Sequence, residues 1–159
     1  MGIVVSDTTV ITNLLQVGRL NLLRSLFGTV IIPNAVKTEL DAMHLQELTT
    51  TSSDWLTVYS EKLLDIELVD ASLDSGEREA IALSLEHNAN LLVIDELKGR
   101  RVAEKLGIEI IGTIGILLLA KQRGKIERVA PVIREMISNG FWVSPALLKQ
   151  VLISCNEAS

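Results

Sequence analysis

Two aspartates each follow a short apolar run that has the composition of a buried strand. The run at 3–6 precedes Asp7, and the run at 91–94 precedes Asp95. If both runs are parallel strands of one sheet, their carboxyl ends lie at the same edge, where α/β proteins collect ligands. The sequence therefore predicts that the two aspartates lie close together at that edge.

Two glutamates are carried by helix-like segments. Glu39 belongs to the segment at 33–40, and Glu77 to the segment at 76–85. Four carboxylates in one cleft would repel one another, because two unit charges ~4 Å apart cost about 4 kcal/mol at an effective dielectric constant near 20. Without a cation, one or more of them would take up a proton. Since Mg²⁺ and Mn²⁺ prefer oxygen ligands, the four acids predict a divalent-metal site, with phosphodiester hydrolysis as its leading chemistry.

Each of these acids also has a purely structural interpretation. Asp7 and Asp95 could each cap the helix that follows them. Glu39 could be solvated helix surface, and Glu77 fits a capping box in which Asp74 is the cap. Spacing alone leaves both interpretations open, although two aspartates at two strand ends strengthen each other's functional interpretation.

The elements that must position these acids alternate between strand and helix. Strands are predicted at 3–6, 30–32, 55–59, 91–94 and 108–111. They are rich in β-branched residues and do not alternate with polar ones, which is typical of strands buried on both faces of a parallel sheet. Helices are predicted at 9–16, 19–26, from Pro33 to about 43, and at 76–88, 97–106, 114–123, 127–138 and 145–153, while the run at 49–53 is predicted to be a loop. The predicted fold class is therefore α/β: a three-layer α/β/α sandwich with a central, mainly parallel sheet of about five strands.

Length and composition predict one globular domain over 1–159, with a C-terminal helical extension at about 141–155. The chain is 48% hydrophobic and only 3% aromatic, so its core must be aliphatic. The single cysteine, Cys155, excludes an intramolecular disulfide and a cysteine-based metal site. No signal-peptide pattern is present, and the longest uncharged apolar stretch, at 110–120, is shorter than the ~18 residues that a membrane span requires. We therefore expect a cytoplasmic protein.

The net charge of −5 argues against a broad basic surface for nucleic acid, although the clustered acids contribute to that count. Basic residues are concentrated just after Asp95. They could contact phosphates or form a solvated helix face, and both interpretations remain open. These residues are Lys98, Arg100, Arg101 and Lys105.

Four segments, taken in their order and spacing, resemble the PIN-domain family, ribonuclease-like proteins that include the VapC-type toxins of toxin–antitoxin pairs. The segments are VSDTT at 5–9, PNAVKTEL at 33–40, DSGEREAIAL at 74–83 and LVID at 92–95. The stretch at 110–118 and the pair Ser144-Pro145 fit an uncharacterised prokaryotic branch of that family. The resemblance covers nearly the whole chain.

This resemblance implies that the family's catalytic and metal-binding acids fall on Asp7, Glu39, Glu77 and Asp95. We expect Asp7 and Asp95 to bind Mg²⁺ or Mn²⁺ directly, and Glu39 and Glu77 to bind it through water or to position the attacking water. The third acid is typically aspartate in the toxins, whereas this chain has a glutamate there.

Neighbouring polar residues complete the implied site. The family's small polar residues near the first acid are matched by Thr8 and, less closely, by Asn13. Glu79 and Glu96 lie near the third and fourth acids, so they compete for those ligand positions, and Glu96 is assigned a supporting role.

The implied activity is that of a metal-dependent endoribonuclease acting on RNA. As a toxin it would have a small antitoxin protein as a partner, and the family resemblance also favours a homodimer. The alternatives are a PIN-fold RNA-processing nuclease and a non-catalytic module that binds nucleic acid or protein. An aspartyl-phosphate phosphatase is disfavoured because Thr9 stands where it needs a second aspartate, and a receiver domain because Thr113 replaces the lysine after strand five.

Overall fold

The central sheet has five strands, all parallel, in a computed structural model that describes residues 2–52 and 54–158. The strands are β1 (Val4–Ser6), β2 (Val30–Pro33), β3 (Leu56–Tyr59), β4 (Leu91–Val93) and β5 (Ile110–Ile111). Their spatial order is β3-β2-β1-β4-β5. The predicted parallel sheet is confirmed.

Helices connect the strands and follow the last one. Within the described residues they are α1 (Thr8–Gln16), α2 (Asn21–Phe27), α3 (Asn34–Ala42), α4 (Glu47–Thr51), α5 (Ser75–Glu86), α6 (Leu97–Lys105), α7 (Thr113–Gln122), α8 (Ala130–Ser138) and α9 (Pro145–Ser154). A short 3₁₀ helix occupies Ile66–Leu68. The predicted α/β class is confirmed.

Strand residues point alternately into two separate hydrophobic clusters. Val4 and Val93 pack in one cluster, with residues of α1, α2, α7 and α8. Val5 and Leu92 pack in the other, with residues of α5 and α6. Because both faces of the sheet are covered by helices, the strands lack the polar alternation of a half-exposed sheet. This arrangement is the predicted three-layer sandwich.

The strand order changes direction at β1, which pairs with β2 on one side and with β4 on the other. Ser6 is in register with Val93, and the amide of Asp7 donates to the Val93 carbonyl at 2.9 Å. Asp95 follows β4 by two residues. Both aspartates therefore lie at the carboxyl edge of adjacent strands, at the point where the topology switches and α/β sheets bind ligands.

Two local predictions were wrong. The run at 49–53 was predicted to be a loop, but α4 extends to Thr51, and threonine hydroxyls donate to carbonyls one turn earlier, as Thr51 does to Glu47. Ser53 lies outside the described residues. The helix predicted from 127 begins only at Ala130, with a proline in its first turn, which suits the start of a helix.

The C-terminal segment packs on the rest of the molecule. Val151 of α9 is buried in the larger hydrophobic cluster. The Glu157 side chain accepts hydrogen bonds from the amides of Val129 and Ala130, both at 2.8 Å, and so caps α8. Trp142, between α8 and α9, is 80% exposed. No helix in 2–52 or 54–158 has the length and apolar character needed to cross a bilayer.

Candidate active site

Asp7 is only 2% exposed and stands at the N-cap position of α1. Its side chain makes no capping hydrogen bond to that helix. Burial raises the pKa of Asp7 to about 7, and the charges of Glu39, Asp74 and Asp95 act in the same direction, against a smaller opposing effect of the Thr8 amide. The helix-cap interpretation therefore does not account for this aspartate.

Glu39 is half-buried on α3 and is held by a residue that the sequence had singled out. The buried Thr8 hydroxyl, at the start of α1, donates to Glu39 Oε2 at 2.5 Å. This hydrogen bond joins two helices that follow neighbouring strands. The charge of Glu39 also raises the pKa of Asp7. Glu39 therefore belongs to the group of acids around Asp7 rather than to a solvated helix surface.

Glu77 is 6% exposed, and its Oε2 atom has no hydrogen-bond partner. Asp74 caps α5 as predicted, because its Oδ1 accepts from the Glu77 amide at 2.8 Å. Burial raises the pKa of the Glu77 carboxyl to about 8, and contact with the Asp74 side chain and the charges of Asp74, Asp7 and Glu96 add to the effect. A buried acid with an unpartnered oxygen is costly unless a proton or cation compensates it.

Asp95 caps a helix, but not the helix that follows it in sequence. Its Oδ1 accepts from the Thr113 amide at 2.7 Å and its Oδ2 from the Thr113 hydroxyl at 2.6 Å, at the start of α7. Asn13 Nδ2 also donates to Oδ2, at 3.0 Å. The structural alternative left open for Asp95, a cap on the helix that follows it, is therefore not what the structure shows. Three hydrogen bonds from Thr113 and Asn13 therefore orient the Asp95 carboxylate. Oδ2 accepts two of them and Oδ1 accepts one, so Oδ1 keeps a free lone pair.

Sequence reasoning missed Thr113 and underrated Asp74. Thr113 follows β5 at the same sheet edge as Asp7 and Asp95, so the strand-end argument could have found it. Asp74 was assigned only as a helix cap, although its charge contributes to the raised pKa of both Asp7 and Glu77. Its proximity to Glu77 follows from the capping position, whereas its proximity to Asp7 depends on how α5 packs against the sheet.

Glu79 and Glu96, the two acids expected to compete for ligand positions, make other contacts. Glu79 Oε1 accepts from the Ala35 amide at 3.0 Å, so it caps the start of α3 from α5. Glu96 is exposed at the N-cap position of α6, and its charge acts on Glu77. Glu79 therefore serves as a link between two helices, and Glu96 lies at the rim of the site.

An open cavity of about 570 Å³ lies beside these acids. It runs between the first turns of α3 and α5, so the Glu39 side of the cluster is accessible to a ligand. The lining residues are Asn34, Ala35, Thr38, Glu39, Asp74, Ser75 and Glu79.

The predicted basic residues all lie on α6. Lys98 Nζ donates to the Ser72 hydroxyl at 2.6 Å, and Arg100 Nη1 donates to the Ile94 carbonyl at 3.1 Å. Arg101 and Lys105 are exposed. Arg101 and Lys105 are thus open to solvent, while the hydrogen bonds of Lys98 and Arg100 connect α6 to neighbouring segments.

We call Asp7, Glu39, Glu77 and Asp95 the acidic site. In the described part of the chain, no three acidic, histidine or cysteine side chains approach one another closely enough to form a metal-binding group. The chemistry of the site nevertheless fits a hard divalent cation. Its donors are all carboxylate oxygens, two of its acids have strongly raised pKa values, and one buried oxygen has no partner.

A comparison with protein-family models identifies the family of the chain. A family model described as DUF3368, PIN domain, matches residues 3–157. A search of curated protein sequences finds no significant match. The matched range contains every strand, every helix and the whole acidic site. The chain therefore belongs to the PIN-domain family, whose fold is of the nuclease type.

Proposed function

We propose that this protein is a metal-dependent endoribonuclease that hydrolyses RNA phosphodiester bonds at the edge of β1 and β4. The observation that carries the proposal is the uncompensated negative charge of the acidic site. Asp7 and Glu77 are buried, and their pKa values are raised to about 7 and about 8 by burial and by neighbouring carboxylates. Strongly perturbed acids of this kind mark functional sites, and membership of the PIN-domain family supports the same activity.

Mg²⁺ or Mn²⁺ would be held by Asp7, Glu39, Glu77 and Asp95. A bound divalent ion lowers the pKa of a coordinated water and stabilises the charge that develops on a phosphate. The protein's part is to orient the carboxylates. Thr8 holds Glu39, while Asn13 and Thr113 hold Asp95 through the hydrogen bonds described above.

The exposed cations of α6 supply a second element of the proposal. Arg101 and Lys105 are open to solvent on the helix that begins just after Asp95. Lys98 and Arg100 add positive charge on the same helix. Cations in this position would neutralise phosphates next to the acidic site, so RNA binding should weaken as salt rises. An RNA affinity that does not change with salt would remove α6 from the proposal.

Two cellular roles would suit such a ribonuclease: the toxin of a toxin–antitoxin pair, or a nuclease that processes RNA. A toxin would be paired with a small antitoxin protein that covers the acidic site, whereas a processing nuclease would not. We propose that two copies form a homodimer in the cytoplasm, and light scattering of the purified protein tests the oligomeric state. Copurification with a small protein encoded beside it would identify the toxin role.

The direct test is cleavage of labelled single-stranded and structured RNAs with Mg²⁺, with Mn²⁺ and with EDTA. The Asp7→Asn variant removes one charge at constant shape and should be inactive while folded. Asp54→Asn is the matched control, because Asp54 pairs with Arg24 on the exposed surface. Equal cutting by wild type and Asp7→Asn would refute the assignment. Tight RNA binding by a folded wild type that never cuts would instead favour the non-catalytic module.

A further inference from the structure

We propose that Gly76 and Gly99 are positioning residues of the acidic site, because each leaves the space that an acidic side chain occupies. The inference rests on the proposed function and assigns two residues to it that carry no reactive group. Neither glycine is needed for chemistry, so their contribution would lie in where Glu39 and Glu77 can be placed.

Gly76 lies in the first turn of α5, opposite Glu39 of α3. A methyl group at this position would overlap the Glu39 carboxylate, which provides all three of the nearest atoms. Oε2 of that carboxylate also accepts the hydrogen bond from the Thr8 hydroxyl. The Glu39 carboxylate therefore contacts both a hydroxyl on α1 and the bare backbone of α5, and an added side chain on α5 must displace it.

Gly99 lies in α6 and is buried against Glu77 of α5. A methyl group there would lie 2.7 Å from Glu77 Oε2 and 2.7 Å from Cδ1 of Ile94. That oxygen is the buried atom that has no hydrogen-bond partner. The missing side chain therefore leaves room for the unpartnered oxygen between two helices.

Backbone conformation does not explain either glycine. Within the described residues, the glycines with left-handed φ values are Gly18, Gly28, Gly107, Gly124 and Gly140. Gly76 and Gly99 are outside that group and lie in helices, where glycine is a poorer helix former than alanine. The physical reason that remains is space for the facing side chains: Glu39 at Gly76, and both Glu77 and Ile94 at Gly99.

The experiment compares Gly76→Ala and Gly99→Ala with Gly115→Ala. Gly115 is also helical, and a methyl group there would lie 2.7 Å from Cγ1 of Ile111, so this control reproduces the crowding without an acid. The readouts are kcat, KM and the rise in Tm that Mn²⁺ produces. We expect each of the two site variants to lose about 100-fold in kcat and most of the Mn²⁺-induced rise in Tm. The control should keep both.

A double-mutant cycle separates positioning from general damage to the fold. Glu39→Asp shortens the side chain by one methylene and withdraws the carboxylate from Gly76. We therefore expect Gly76→Ala to cost about 100-fold in the wild-type background but little in the Glu39→Asp background. Equal losses in both backgrounds, or wild-type activity in Gly76→Ala, would overturn the inference.

Failure of the proposed function is distinguishable from failure of this inference. A wild type that neither cuts RNA nor responds to Mn²⁺ would refute the function. Crystal structures of wild type and Gly76→Ala would then decide the positioning role. A displaced Glu39 carboxylate supports it, and an unchanged one overturns it.

Discussion

Two regions of the molecule bury carboxylate side chains, one near the C-terminus and one at the sheet edge. Near the C-terminus, the Glu157 side chain is 3% exposed. It accepts hydrogen bonds from Lys121 Nζ and from the amides of Val129 and Ala130, each at 2.8 Å. This carboxylate has the cationic and amide partners that a buried charge requires.

At the sheet edge, Asp7 and Glu77 are similarly buried, but the charged groups that shift their pKa values are other carboxylates. Burial tends to raise the pKa of a carboxyl group in both regions. For Glu157, hydrogen bonds from Lys121 and the α8 amides outweigh burial and lower the pKa to about 2. The single amide of Thr8 does not offset burial at Asp7, and the neighbours of Glu77 are acids that raise its pKa, so the two pKa values rise to about 7 and about 8. Cationic and amide partners, rather than the depth of burial, therefore distinguish a structural carboxylate from a candidate metal ligand.

The largest expected effect is on activity. Asp7→Asn should lower kcat about 1,000-fold, since a metal ion contributes several kcal/mol to stabilising the transition state. Glu157→Gln makes the same chemical change in the other region and should leave kcat unchanged at temperatures well below its Tm. RNA cleavage under saturating Mn²⁺ measures both. A comparable loss in Glu157→Gln would break the distinction between the two regions.

For stability, the order of the two variants should be reversed, so that Glu157→Gln has the larger effect. Glu157→Gln should lower the free energy of unfolding by about 2 kcal/mol, because one of the two accepting oxygens becomes an NH₂ donor that faces a buried donor, and Lys121 loses its anionic partner. Asp7→Asn removes an uncompensated buried acid and should leave the free energy of unfolding equal or higher at pH 8. Urea denaturation in EDTA measures both values. A marked destabilisation of Asp7→Asn would show that Asp7 is structural.

The two regions should also control opposite limbs of the pH–stability curve. The pKa of Glu157 is lowered from 4.5 to about 2, so its contribution is present above pH 4.5 and is lost as pH falls from 4.5 to 2. The pKa of Asp7 is raised from 3.8 to about 7, so its contribution is present below pH 3.8 and is lost as pH rises from 3.8 to 7.

Measurement of Tm against pH in EDTA tests this expectation. Glu157→Gln should flatten the acid limb of the curve and Asp7→Asn the limb between pH 4 and pH 7. In the wild type, Mn²⁺ must displace the protons of Asp7 and Glu77, so its affinity should rise at least ~10-fold between pH 6 and pH 8. Identical curves for all three proteins would contradict the assigned pKa shifts.

The smallest expected effect concerns a residue that only orients an acid. Thr113→Val removes the hydroxyl that donates to Asp95 while keeping the backbone amide, and should lower kcat about 10-fold. Thr12→Val is the control, because the Thr12 hydroxyl donates only to a carbonyl within α1. Titration with Mn²⁺ should show weaker binding in Thr113→Val alone. Equal behaviour of the two variants would remove Thr113 from the site.

Much of the fold followed from local patterns. The apolar, β-branched runs around Val4 and Leu92 became strands buried on both faces, and the order of strands and helices predicted the sandwich. Asp7 and Asp95 could be placed at one edge because parallel strands end on the same side of a sheet. The segment around Thr51 was mispredicted because threonine hydroxyls that suit a loop can also bond to the preceding helical turn.

The sequence by itself determined the type of most elements and the sheet edge to which the two aspartates belong, because these depend on periodicity over a few residues. Only the tertiary structure decided which partner each carboxylate meets. Asp95 caps α7 through Thr113, Glu79 caps α3 through Ala35, and Glu157 caps α8. These hydrogen bonds join residues 18, 44 and 27 positions apart. Such contacts depend on strand order and helix packing, which no local pattern encodes.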